Sequence, residues 1–233
     1  SRKFHRSIIQ TMNTQKTKKI ALNFDCKPVM SDGHFFLTQG IPFGDREMAN
    51  GSGCRIVDED GNAYPTQGTT LATWAKDLSF VKWLLVDAEL PASVSRKDAL
   101  FLEYGPDVQN VLPEYPLSYD FYDGRFAGPK TVYNELFEIG FVDAAEAQNG
   151  EFIRTFRVRS EDGWVDLTEG KAFPILSIRD ANGAEYNSVE NALPPKITIE
   201  DRGPIRGSIC IRGAHADAHG NIALPYILRL HFY

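Results

Sequence analysis

Phe80-Val-Lys-Trp-Leu-Leu-Val-Asp87 decides the fold class, together with the two pieces that precede it. These are Ile41-Pro-Phe-Gly-Asp-Arg-Glu-Met48 and the run from Arg55 through Asp58-Glu-Asp-Gly-Asn62 to Tyr64-Pro-Thr-Gln67. In an extended chain Val81, Trp83 and Leu85 face one way, and Lys82, Leu84 and Val86 the other. A run this apolar on both sides predicts a strand buried on both faces. No constellation within Gly40 to Glu103 announces a reaction.

Working outward, the punctuation is regular. Asn50-Gly51, Asp60-Gly61, Asp123-Gly124, Asn149-Gly150, Asp162-Gly163, Asn182-Gly183 and Gly220-Asn221 fall between alternating segments. Asx-Gly pairs in such places predict hairpins, through type I′ turns whose two central residues both need positive φ. Lys19 to Val29 reads as a first strand, and His34 to Leu37 opens the next after the Asp32-Gly33 turn. Helical periodicity is nearly absent: Thr131 to Phe141 and Ala144 to Gln148 could each supply a helical turn or two. The expected class is all-β, built from hairpins. Ile178-Arg-Asp-Ala-Asn-Gly-Ala-Glu-Tyr186 echoes Ile56-Val-Asp-Glu-Asp-Gly-Asn-Ala-Tyr64, which we read as shared turn chemistry.

Composition bounds the rest. The chain has 233 residues, enough for one large or two modest domains, and its 42% hydrophobic share supports a core. The net charge of −6 is uneven: residues 1–19 carry +6 and no acid, which leaves −12 on the remainder. Such a body repels nucleic acid and anionic lipid. The basic head lacks the interleaved aromatics of a nucleic-acid arm and reads as a frayed extension. No apolar run approaches the ~20 residues of a membrane-crossing helix, and Ser7 to Met12 is too short for the apolar core of a signal peptide. Cys26, Cys54 and Cys210 are odd in number and lack a Cys-x-x-Cys spacing, which argues for free buried thiols over a disulfide or zinc framework. Asn50-Gly-Ser52 forms one glycosylation sequon.

Leu112 to Pro129 breaks the pattern with prolines and glycines amid crowded aromatics, and marks a boundary. The expected organisation is a basic extension over 1–19, a barrel-like β domain over 20–115, and a β-sandwich over 116–233. The closing strand, with Tyr226, Leu228, Leu230 and Phe232 on one face, wants a neighbour on each side. We therefore read the sandwich as continuing beyond Tyr233.

The order Ile41-Pro-Phe-Gly44, Asp58-Glu-Asp-Gly61, Tyr64-Pro-Thr-Gln67, Trp74 and Val81-Lys-Trp-Leu-Leu-Val-Asp87 resembles the N-terminal RIFT-type β-barrel of the exo-rhamnogalacturonan lyase-like proteins. Ile199-Glu-Asp-Arg-Gly-Pro-Ile-Arg206, Ile211-Arg-Gly213 and Tyr226-Ile-Leu-Arg-Leu-His-Phe-Tyr233 resemble the start of that family's central β-sandwich. The likeness touches most of residues 40–233, through motifs that are mostly structural. Asp77-Leu-Ser79 stands where the family has Asp-Gly-Ser, which predicts a changed loop, and Phe43-Gly44 stands where it commonly has Phe-Pro. The resemblance implies β-elimination of a galacturonate-containing polysaccharide by a helical domain C-terminal to the sandwich. It therefore implies no catalytic residue in this chain, no cofactor, and that downstream domain as a partner.

His215, Asp217 and His219 sit at alternate positions, as strand-borne metal ligands would, but Gly220-Asn221 turns the chain there and favours a hairpin tip. Asp58-Glu-Asp-Gly-Asn62 alternates oxygen donors, yet its glycine falls too early for a calcium loop, so a turn is expected. Gly51-Ser-Gly-Cys-Arg-Ile56 lacks the third glycine of a dinucleotide loop, and no Gly-x-Ser-x-Gly occurs. Glu135 with Glu138, and Asp120 with Asp123, are carboxylate pairs expected to be merely solvated. Tyr115, Tyr119 and Tyr122 could stack on sugar rings, joined by Trp74 and Trp83, with Arg125 and Lys130 clamping a uronate carboxylate. For the tryptophans a barrel core is the preferred place, and for the tyrosines a domain junction.

The reading is a non-catalytic β region of a larger polysaccharide-lyase-like protein, supporting its catalytic domain and able to contact an acidic polysaccharide. The alternatives are a free-standing carbohydrate-binding module and a structural or protein-interaction domain.

Overall fold

The computed structural model describes residues 17–23, 33–96, 99–121, 130–142, 152–168, 176–190 and 195–233. It is all-β: seventeen strands and one short 3-10 turn at Ala92–Arg96 make up the regular structure among these residues. The chain divides into two compact units, one of residues 1–86 and 90–111, the other of residues 87–89 and 112–233.

The first unit contains β1 (Lys18–Leu22), β2 (His34–Pro42), β3 (Gly53–Asp58), β4 (Ala63–Tyr64), β5 (Thr66–Thr73), most of β6 (Val81–Pro91) and β7 (Leu100–Gly105). They form a four-stranded sheet in the order β1-β7-β3-β4 and a three-stranded sheet in the order β2-β6-β5. Its core is largely aliphatic, with Ile56, Val57, Val81, Val86, Leu90 and Leu102 almost wholly buried. The burial of β6 corrects the two-faced expectation. Val81, Leu84 and Val86 are buried, but Lys82 and Trp83 are exposed, Trp83 by 43%. The indole of Trp83 lies beside Gly40 of β2, where an added Cβ would sit 3.8 Å from the ring, at ordinary contact distance.

The second unit pairs two sheets. One has the order β12-β11-β10-β9-β8, from β8 (Ser118–Phe121), β9 (Lys130–Tyr133), β10 (Phe137–Phe141), β11 (Ile153–Ser160) and β12 (Gly163–Asp166). The other comprises β13 (Ser177–Arg179), β14 (Glu185–Asn187), β15 (Lys196–Arg202), β16 (Gly207–Ala216) and β17 (Ile222–Phe232). Their inner faces share one cluster containing Val132, Ile139, Phe141, Phe152, Ile209, Ile211 and Phe232. Phe232 stacks on Phe137 at 5.9 Å and meets Phe141 edge-on at 6.5 Å, geometries that add to simple burial. Arg206, nearly buried, donates to Asp201 at 2.9 Å and lies 3.8 Å from the buried Asp87 carboxylate.

Thr131 to Phe141 is strand, not helix. Asn134 Oδ1 accepts the Leu136 and Phe137 amides, which turns β9 straight into β10, and the β-branched and aromatic Thr131, Val132 and Tyr133 suit the pleat. Ala144 to Gln148 and Phe24 to Val29 lie outside the described residues. Among those residues β17 pairs with β16 alone, so the closing strand is a sheet edge. Its Tyr226, Leu228 and Leu230 pack partly on the core, whereas Ile222, Leu224 and Ile227 are exposed.

Hairpins form at Asp60-Gly61, Asp162-Gly163, Asn182-Gly183 and Gly220-Asn221; Asn50-Gly51 instead joins β2 to β3, which lie in different sheets, and Asp123-Gly124 and Asn149-Gly150 lie outside the described residues. Three of the hairpin tips use a different turn from the one predicted. At Asp58, Asp180 and Asp217 the carboxylate Oδ1 accepts the amides two and four residues on. The backbone closes the same way in all three, with the amide of the Asp bonded to the carbonyl four residues later. Only the glycine is left-handed: Gly61, Gly183 and Gly220 have φ of 83°, 86° and 79°, whereas Asp60, Asn182 and His219 do not have positive φ. This is a type I turn followed by a glycine bulge, which the Asp side chain selects over type I′.

Candidate functional site

A surface pocket lies in the first unit, and the Pro-Phe-Gly-Asp-Arg-Glu segment builds one wall. Phe43 is buried and meets Tyr104 edge-on at 5.0 Å. Its amide donates to the Lys82 carbonyl at 3.0 Å, and its own carbonyl accepts the indole Nε1–H of Trp74 at 2.9 Å. Glu47 then holds the turn closed: Oε2 accepts the Gly44 amide at 2.7 Å and Oε1 the Tyr104 hydroxyl at 2.8 Å. The Gly44 amide, then that hydroxyl, hold the Glu47 carboxyl below its ordinary pKa, so it stays an anionic clasp at neutral pH. Burial and the Glu47 charge push the Tyr104 phenol upward.

The other wall runs from Trp74 to Phe80. Trp74 N donates to Phe80 O, Leu78 N to Ala75 O, and Asn50 N to Ser79 O. Asp77 Oδ1 accepts both the amide and the hydroxyl of Ser79, and the hydroxyl first, then the amide, lower the Asp77 pKa. Between the walls opens a cavity of ≈ 530 Å³ lined by Asp45, Arg46, Trp74, Asp77 and Ser79, with Phe80 behind. Arg46 and Leu78 flank it with φ of 59° and 60°, and they are the two non-glycine residues with positive φ among those described. Such left-handed positions cost about 1–2 kcal/mol each, and they gather at sites of function more than elsewhere.

Trp74 is 45% exposed, which corrects its expected place in a barrel core. The correction has a local cause. Its indole N–H finds a partner in the Phe43 carbonyl at the surface, and Lys82 Nζ lies 4.8 Å from the ring centroid. A tryptophan so satisfied gains a cation–π contact where it is. The product is a fixed aromatic plate beside a cleft with two carboxylates and a guanidinium.

The arrangement offers hydrogen-bond acceptors, a guanidinium and an aromatic face. Asp77 is ionised at neutral pH, so it accepts hydrogen bonds and donates no proton. Cys54, the thiol of this unit, is buried with its pKa pushed up to about 11, which keeps it a protonated, inert group. Among the described residues no group of three His, Cys, Asp or Glu side chains could hold a metal ion.

The residues singled out from sequence are scattered. Tyr119 is on the core face of β8, its hydroxyl donating to Gly203 O at 2.8 Å and its ring filling the space over Gly207. Burial and then the Asp201 charge push its pKa up. Lys130 pairs in register with Phe121 and Phe141, which places it at the core-facing end of β9. Tyr115 is half-exposed in the preceding loop, beside Glu114, which raises its pKa. Tyr122, Arg125 and Asp123 lie outside the described residues. Glu138 is bound to Arg157 at 2.6 Å. His215 is buried edge-on against Tyr226, its Nδ1 at 3.1 Å from Leu224 O, while Asp217 spends both oxygens on the hairpin tip that carries His219. Asp45, Arg46 and Asp77 were missed, although they stand inside the quoted stretch. Two charges next to a Pro-Phe-Gly entry and an Asp-x-Ser turn were the available signal. Comparison with known proteins finds no family model and no curated sequence that matches this chain.

Proposed function

We propose that this chain is a non-catalytic glycan-binding β region, belonging with a polysaccharide-lyase-like protein, and that a sugar ring docks on Trp74. The observation that carries the reading is a half-exposed indole held rigid by Phe43 and Lys82 in a cleft with Asp45, Arg46 and Asp77. Pyranose rings present a C–H face to an aromatic plate and hydroxyls to carboxylates and guanidinium, and both kinds of partner are here. Leu78 adds support. It holds a left-handed conformation, which glycine adopts at no steric cost and leucine rarely does.

The test is calorimetric titration of the chain with rhamnogalacturonan and oligogalacturonate fragments, with the Trp74→Ala variant beside it. Binding that the variant weakens about tenfold or more supports the reading. Binding indifferent to Trp74 overturns it. The same mixtures, followed in the ultraviolet for an unsaturated product, are expected to show no lyase turnover. A second reading, an interaction domain, is favoured by the exposed Ile222, Leu224 and Ile227 of edge strand β17. Sedimentation at rising protein concentration, with and without Ile227→Lys, tests it.

A further inference from the structure

We infer that the Trp74 cleft selects an uncharged sugar ring with adjacent free hydroxyls, and that Asp45, Arg46 and Asp77 disfavour uronates and amino sugars alike. The inference rests on the cleft binding glycan at all, and it adds the class of glycan.

The hydrogen-bonding capacity left open decides the class. The indole Nε1–H of Trp74 is spent on the Phe43 carbonyl, so the ring offers only its apolar surface. Asp77 Oδ1 accepts the Ser79 amide and hydroxyl, which orients the carboxylate and leaves Oδ2 with no hydrogen-bond partner among the described residues. On the facing wall Arg46 Nε is 3.9 Å from Asp45 Oδ2, an ion contact too long for a hydrogen bond. Neither side chain is bonded elsewhere among the described residues. The cleft therefore presents open carboxylate acceptors on both walls and open guanidinium donors on one.

A ligand for such a site has to donate and to accept. A hydroxyl does both: its proton goes to a carboxylate and its oxygen receives a guanidinium N–H. Hydroxyls on neighbouring ring carbons supply that pair of functions while the C–H face of the ring lies on the indole. A uronate brings the same hydroxyls with a carboxylate that only accepts. The guanidinium it meets already has Asp45 beside it, and Asp45 and the ionised Asp77 repel it. An ammonium group only donates, which suits the carboxylates but opposes Arg46 and Lys82, whose Nζ is 4.8 Å from the Trp74 ring centroid. The formal charges balance around the plate, Asp45 and Asp77 against Arg46 and Lys82, and Lys76 does not line the cavity. A neutral ligand leaves that balance undisturbed.

The experiment is calorimetric titration of the full chain with oligogalacturonate, with the same oligomer after carboxyl reduction to its neutral form, and with a glucosamine oligomer. Wild type, Trp74→Ala, Asp77→Asn and Arg46→Gln are compared, with circular dichroism verifying that each is folded. The first two ligands share linkage and length and differ only at the carboxyl carbon. Wild type is expected to bind the reduced oligomer about tenfold or more tighter than either charged one, with an affinity that changes little between about 50 and about 500 mM salt. Trp74→Ala weakens that binding. Asp77→Asn weakens it too and narrows the gap to oligogalacturonate, because the amide keeps an acceptor for Ser79 and removes the repelling charge. Arg46→Gln weakens the reduced oligomer and narrows the gap to the glucosamine oligomer. Trp74-dependent binding in which either charged oligomer equals the reduced one overturns the selection and leaves the cleft standing as a glycan site. A preference unchanged in both Asp77→Asn and Arg46→Gln also overturns it. No Trp74-dependent binding of any of the three overturns the cleft reading and the selection together.

Discussion

The Asp58 tip of the first unit and the Asp217 tip of the second use one hydrogen-bond pattern in two environments. In each, Oδ1 accepts two turn amides, Oδ2 accepts the Nδ2–H of the asparagine four residues on, and a left-handed glycine completes the turn. Asp58 is only 1% exposed and also receives the Tyr64 hydroxyl at 2.8 Å, whereas Asp217 is half-exposed at the end of the long β16–β17 hairpin. The same local chemistry is therefore structural in one place and dispensable in the other. Water can replace a lost partner at Asp217 and cannot at Asp58.

The largest expected effect breaks the pair apart. Asp58→Ala leaves two amides, a carboxamide and a phenol without their acceptor, and should cost roughly 3 kcal/mol or more in urea unfolding. Asp217→Ala should cost a small fraction of that, and equal losses would refute the burial argument. Next in size, Gly61→Ala and Gly220→Ala should each cost about 1–2 kcal/mol, and equally. Both sites are left-handed and open around the added Cβ, so only the backbone term remains. Leu78→Gly tests the converse: relieving a left-handed leucine that is already exposed should raise stability by up to about 1 kcal/mol, less the entropy that glycine adds to the unfolded chain. Smallest is a pH effect. The Asn221 side chain, then its amide, depress the Asp217 pKa. The folded value is thus below the unfolded one, so its contribution is present above the unfolded aspartate value and is lost as pH falls through the folded value. Unfolding midpoints compared at about pH 5 and about pH 3 should show a smaller acid loss in Asp217→Asn than in wild type.

Much of the fold was legible because hairpins are local. An Asp three residues before a glycine, between alternating segments, carries its own instructions, and so the Asp58 and Asp180 echo was visible as turn chemistry. The turn type was misread because dipeptides were counted where the decisive residue was the Asp two positions earlier. Thr131 to Phe141 departs from the helical expectation for a related reason: Asn134 captures two amides and makes a turn there.

The site was less legible. Trp74, Trp83 and Trp164 have the composition of core residues and lie on the surface, beside Phe43 O, Gly40 and a pair of arginines respectively. Phe43 and Gly40 are more than thirty residues from their tryptophans, whereas the arginines face Trp164 across one hairpin. Tyr119 went the other way: an aromatic in a Pro- and Gly-rich stretch became a buried anchor because, more than eighty residues on, the Gly203 carbonyl accepts its hydroxyl and Gly207 leaves room for its ring.

The amino-acid sequence by itself determined the all-β class, four hairpin positions among the described residues and the uneven charge, since turn residues, period-two alternation and charge counts act over a few residues. Tertiary structure alone decided which aromatics are plates and which are core. That choice depends on the strand lying across each ring, and long-range pairing, not local propensity, selects the strand.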